Sequence, residues 1–106
     1  MRPSRKGSDP MRNYQIRSKS YATDYRSFEN LDDVRRYIIG FYPAKEKEIY
    51  VFSGKGKQYG NVLFNNKGLA FWYTPSVTYL INKDGTLGRI VARYDKKKKE
   101  WHPFGL

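Results

Sequence analysis

The 106-residue chain has no cysteine. That absence excludes disulfides, thiolate catalysis and cysteine-ligated zinc together, and it fits a reducing compartment. Histidine occurs once, at His102 close to the C-terminal end, so a His-centred dyad or triad is not expected. No apolar run approaches the ~20 residues of a membrane span. The basic N-terminal residues are not followed by the apolar stretch of a secretory signal. A soluble, cytoplasmic protein is the expectation. Carboxylates are scarce too, with ten Asp and Glu against twenty-one Lys and Arg. Those present have plain explanations. Asp24, Glu29, Asp32 and Asp33 cluster near a helix start, where capping accounts for them, and lysines interleave Glu46 and Glu48. No enzyme, metal site or cofactor is expected.

What the chain does have is positive charge and aromatic rings. The net charge is +11, and it is unevenly placed. Residues 1–20 carry six basic groups and one acid, and residues 96–106 carry four lysines and one acid. The segment 21–43 is slightly acidic, with four acids and three bases. Such an imbalance speaks to partners rather than to fold. The natural partner is a polyanion, or a protein that handles one. Residues 1–10 allow two readings: part of a basic arm, or an expression leader with a Gly7-Ser8 step ahead of a native start at Met11.

Ten Tyr, six Phe and two Trp supply a small core with much area per residue. The organisation read from the pattern has three parts. Residues 1–20 lack a hydrophobic period and read as a flexible basic arm. Residues 21–95 form a single domain, and residues 96–106 a basic, aromatic tail. The domain opens with a helix over 30–43, capped by Asn30 or Ser27 and ended by Gly40 and Pro43. Leu31, Val34, Ile38 and Phe41 share its apolar face. The period then switches to two, predicting five strands at 47–53, 58–65, 69–74, 77–82 and 86–94. Leu63-Phe64-Asn65-Asn66-Lys67-Gly68 and Leu80-Ile81-Asn82-Lys83-Asp84-Gly85 share one pattern, read as two hairpin turns each closed by a glycine bulge. The expected fold is α+β: an N-terminal helix on a five-stranded antiparallel meander, or the same sheet curled into a small barrel.

Several groups could meet an anion. The loop Gly54-Lys55-Gly56-Lys57 combines glycines, which let a backbone approach phosphate, with the charges of Lys55 and Lys57. It lacks the spacing of a Walker loop. The stretch from Lys57 through Tyr59, Gly60 and Val62 to Phe64 partly resembles the first ribonucleoprotein motif of RNA-recognition and cold-shock domains. Gln58 and Asn61 depart from it, and the loss of an aromatic at 61 removes a main stacking position. Trp72, set beside Tyr50 or Tyr79, is a candidate platform for unpaired bases. Arg35 and Arg36 on the polar face of the helix, and Arg89 and Arg93 on the last strand, could extend a basic track. Arg12, Arg17 and Lys19 in the first arm, and Lys96, Lys97, Lys98, Lys99 and Trp101 in the tail, complete the set.

Two functions fit these features. One is a non-enzymatic nucleic-acid-binding module, for RNA or DNA, whose basic arms track a phosphate backbone. The alternative is a small phage or mobile-element inhibitor that binds a host nucleic-acid-handling enzyme, for example an anti-CRISPR protein acting on an effector or its guide RNA.

Overall fold

The computed structural model describes residues 11–104. Among these, eight strands and one α-helix follow in the order β1 (Arg12–Ser18), β2 (Asp24–Phe28), α1 (Leu31–Phe41), β3 (Glu48–Ser53), β4 (Gln58–Phe64), β5 (Ala70–Tyr73), β6 (Val77–Ile81), β7 (Leu87–Asp95) and β8 (Glu100–Pro103). A single 3₁₀ turn, Ala44–Glu46, leads into β3. All strands pair antiparallel in one sheet, ordered β2-β1-β3-β4-β5-β6-β7-β8. The α+β class and the meander from β3 onward match the sequence. The strand count and the position of the helix do not, because two strands precede it. Nor does the sheet close into a barrel: β2 and β8 remain as its two edges.

The basic arm is the largest correction. Arg12–Ser18 is a strand inside the sheet, paired with β2 on one side and β3 on the other. Its residues alternate, with Tyr14 and Ile16 buried between exposed Asn13 and Arg17. This is the period of a half-buried strand, and two apolar residues suffice to set its register. The tail is corrected likewise. Glu100–Pro103 pairs with β7, so Lys96–Lys99 form the turn of a β-hairpin. Residues 1–10 of the expected arm lie outside the described residues.

β2 and β3 flank β1, and α1 is the crossover between them, which lays it across one face of the sheet. Asn30 caps it, its Oδ1 accepting the Asp33 amide at 3.0 Å, and Asp32 and Asp33 occupy the first turn. These supply two of the N-terminal stabilisations open to a helix. Val34 and Ile38 have no exposed surface. The buried stripe then runs to Tyr42, just past the helix, and leaves Phe41 54% exposed.

Cross-strand register sorts the sheet residues into faces. Ile16, Val51 and Gly60 make one row beneath the helix, and Ile49, Val62, Trp72 and Tyr79 another. Six branched aliphatics are fully buried here, two from the helix and four from the sheet. Each contributes about 1.5–3 kcal/mol by leaving water. Trp72 fits because Gly60 has no side chain: a Cβ there would sit 2.6 Å from Cζ2 of the indole.

The turns at Gly56, Gly68 and Gly85 share one geometry. In each the glycine amide bonds the carbonyl three residues back, at 2.9–3.0 Å, and φ is positive. The repeated pattern read in the sequence is therefore one turn used again. Gly85 has a second constraint. It lies against the helix, where an added Cβ would come within 2.1 Å of the Asp32 carbonyl oxygen.

Candidate functional site

The face opposite the helix carries the alternate residues of the same strands. One row runs Arg17, Tyr50, Asn61, Tyr73, Thr78, Ala92 and Pro103. A second runs Glu48, Leu63, Phe71 and Leu80. No helix covers this side among the described residues. Its polar groups satisfy one another: Tyr50 Oη donates to Glu48 Oε1 at 2.6 Å, Asn61 Nδ2 to Glu48 Oε2 at 3.0 Å, and Gln58 Nε2 to Asn61 Oδ1 at 2.6 Å. The bond to Glu48 raises the Tyr50 phenol above its ordinary pKa, with burial adding to it. The Arg17 guanidinium lies over the Phe52 ring, 4.2 Å from its centroid. That cation–π contact holds a charge beside an aromatic.

Trp72 is not part of this surface. It is buried under the helix, 3% exposed, with the Arg35 guanidinium over its ring. The rings on the open face are instead Tyr25, Tyr50, Phe52, Phe71, Tyr73, Tyr94 and Trp101, of which Phe71 is buried. Tyr94 and Trp101 pair across the β7–β8 hairpin with centroids 5.5 Å apart, and Trp101 meets Tyr73 at 5.3 Å. All three are half-buried, each presenting part of a ring to solvent.

This aromatic group leads into the lysine turn. Asp95 Oδ1 accepts the amides of Lys97 at 2.9 Å and Lys98 at 3.2 Å. The Lys98 amide bond is the main cause holding that carboxyl below its usual range. Lys99 closes the turn at φ 55°, a left-handed conformation a lysine adopts at some cost. Lys96, Lys97, Lys98 and Lys99 are thus exposed charges on a defined ribbon. Arg89 and Arg93 are exposed along β7, with Arg93 opposite His102.

The remaining candidates lie toward the other edge of the sheet. Arg12, Lys55, Lys57 and Tyr59 line a cleft of about 840 Å³. Its loop does not offer its backbone to phosphate, because all four amides are taken. Those of Lys55 and Lys57 bond Ser53 Oγ, Gly56 bonds the Ser53 carbonyl and Gly54 the Asn13 carbonyl. Only the lysine side chains remain. Arg17 and Lys19 line a second cleft of about 660 Å³ with Lys45, Glu46, Lys47 and Glu48, a mixed-charge surface. There the Ser20 amide bonds Glu46 at 3.1 Å, and hydrogen bonding from Ser20 depresses that carboxyl.

The helix arginines add little to a basic track. Arg35 was expected on the polar face and is instead 3% exposed. Its Nε donates to the Gly85 carbonyl at 2.8 Å and its guanidinium pairs with Asp32. Burial pulls its pKa down, with Asp32 opposing. Arg36 is exposed and paired with Asp33 at 2.9 Å. The ribonucleoprotein-like stretch is also placed differently from a stacking platform. Val62 and Phe64 point into the core, and Asn61 is held by Glu48.

Sequence reasoning passed over Tyr25, Arg26, Phe52, Tyr73 and Tyr94. Period-two alternation around Trp72 marks Tyr73 as facing the other way from it, and that signal was available. Among the described residues no group of three or more His, Cys, Asp or Glu could hold a metal ion, and no helix is long and apolar enough to cross a membrane. Comparison with protein-family models, with curated proteins and with solved structures finds no match for this chain.

Proposed function

We propose that this protein is a non-enzymatic nucleic-acid-binding module that grips a single strand along the open sheet face. The observation carrying this is the β7–β8 ribbon, where four exposed lysines at the turn adjoin the Tyr94–Trp101–Tyr73 ring group. Phosphates meet the lysines, while unpaired bases stack on the rings. Each stacked base contributes about 1–3 kcal/mol. A duplex keeps its bases stacked on one another and gains only the phosphate contacts, so single strands bind more tightly.

Titration of labelled single- and double-stranded RNA and DNA across salt tests this. Replacing Lys96–Lys99 with glutamine should flatten the slope of log affinity against log salt by about 3, four phosphate contacts at ~0.7 each for a single strand. Trp101→Ala should weaken single-strand binding more than duplex binding. A slope unchanged by the four glutamines would overturn the proposal.

One observation favours the alternative, an inhibitor of a host nucleic-acid-handling enzyme. Tyr21 and Phe41 expose 41% and 54% of their surface in mutual ring contact at the end of the helix, a pair suited to anchor in a protein partner. Pull-down from host lysate with nuclease treatment separates the two. A single stoichiometric protein retained after nuclease, and lost in Phe41→Ala, supports the inhibitor. Loss of every partner supports direct nucleic-acid binding.

A further inference from the structure

We infer that the cleft between the β1–β2 pair and the β3–β4 turn is a separate site for a nucleoside phosphate. The choice of a nucleotide rests on the nucleic-acid reading above, but the cleft and its charge do not. Among the described residues four cations line it, Arg12, Arg26, Lys55 and Lys57, and no carboxylate does. The arginines are already placed. Arg26 is held by Asp24 at 3.0 Å with its guanidinium over the Tyr37 ring, and Arg12 reaches the Glu29 carbonyl at 3.3 Å. The two lysines have no acidic partner among the described residues, so their ammonium groups are the ones an incoming phosphate neutralises.

Phosphate alone would leave most of the space unused. About 840 Å³ lies within the ~300–1,000 Å³ of small-molecule clefts. Tyr25 supplies a flat apolar surface at the wall. It is 73% exposed, the most exposed of the large hydrophobic side chains described, and no ring or cation of the described residues stacks on it. A purine or pyrimidine covers such a ring, while the phosphate reaches the lysines across the cleft. Asn13 is also within the lining, its Oδ1 taken by Ser27 Oγ at 2.8 Å and its Nδ2 left to donate to a base or ribose. The same chemistry comes from two sources, a free mononucleotide or the 5′-phosphorylated end of a strand.

The test uses the full chain and adenosine 5′-monophosphate, adenosine, inorganic phosphate, and a short oligonucleotide with either a 5′-phosphate or a 5′-hydroxyl. Expected is saturable binding of the monophosphate that shifts the amide resonances of residues 25–27 and 53–57. It should weaken at least about tenfold in K55Q/K57Q, the equivalent of one charge-assisted bond. Tyr25→Ala should weaken the monophosphate and leave inorganic phosphate unchanged. An oligonucleotide that prefers the 5′-phosphate in wild type, and loses that preference in K55Q/K57Q, identifies a strand end as the source. Equal affinity for both oligonucleotides with intact monophosphate binding identifies the free nucleotide. Adenosine or inorganic phosphate binding as tightly as the monophosphate, or no saturable monophosphate binding, overturns the inference. The Lys96–Lys99 glutamine variant separates it from the reading above. That variant should lose strand affinity yet bind the monophosphate as wild type does.

Discussion

On the helix side of the sheet, Ile16, Ile49, Val51 and Val62 have no exposed surface; on the other side their neighbours Gln15, Tyr50, Phe52 and Leu63 are half-exposed. The same strands carry both sets, one residue apart. Under the helix the side chains are β-branched and interlock. On the open face they are rings and polar groups joined in a small network around Glu48. The first arrangement holds the fold together. The second keeps rings and a guanidinium in fixed positions at a wet surface, which is what a binding face requires and a core does not.

The sharpest break of this comparison is a matched pair of truncations. Ile49→Ala should cost about 2–5 kcal/mol by leaving a cavity in a packed core. Phe52→Ala, three residues on and on the open face, should cost well under half of that. Urea denaturation measures both, and equal losses would mean the open face is core after all. Next in size is Gly85→Ala, which combines a positive φ with a steric overlap against the helix and should cost about 1–3 kcal/mol. The same alanine at Gly68, where nothing lies within 4 Å, tests the φ contribution alone. Replacing Lys96–Lys99 with glutamine should leave stability within about 1 kcal/mol while weakening strand binding, since exposed substitutions rarely do more.

Two titrations sharpen the contrast further. Tyr42 is buried beside the helix end, and burial, then the charge of Asp24, pushes its phenol up to about 12. A raised pKa in the folded chain means that its contribution to stability is complete below the unfolded value of about 10. It is lost as pH rises through about 12. Comparing tyrosinate absorbance of the wild type with that of Tyr42→Phe should assign to Tyr42 an ionisation at about 12, and one at the ordinary tyrosine value would contradict its burial. Asp95 works in the opposite sense. Its folded pKa is depressed, so its hold on the lysine turn is full above the ordinary carboxylate range and fades as pH falls below it. The Lys97 and Lys98 amides should then lose protection, measured against the intrinsic exchange rate at each pH, while the core amides keep theirs.

Most of the sheet was legible in the sequence because alternation and glycine turns are local signals. The five strands from β3 to β7 were placed within a residue or two, and so was the helix. What was misread had charge laid over the pattern. Asn13-Tyr14-Gln15-Ile16-Arg17 alternates as cleanly as any strand, but three cations nearby suggested an arm. Asp95 at the head of four lysines is a turn signal that like-charge repulsion obscured. Arg35 lies four residues after Leu31 and three before Ile38, so it had to fall on the buried stripe. Only the fold supplies the Gly85 carbonyl and the Trp72 ring that make an arginine tolerable there. The open-face rings were missed for a related reason: choosing between Trp72 and Tyr73 requires knowing which side the helix lies on.

Arg35 and its bond to Gly85 also bear on the order in which the molecule assembles. The helix forms early in the chain, but its inward-facing cation is satisfied by a carbonyl fifty residues later. During synthesis the helix can fold locally but cannot settle until the β6–β7 turn has emerged, when most of the sheet already exists. Docking is therefore a late, long-range event. The lysine ribbon follows that turn in the chain, so it leaves the ribosome onto a domain that has only just closed.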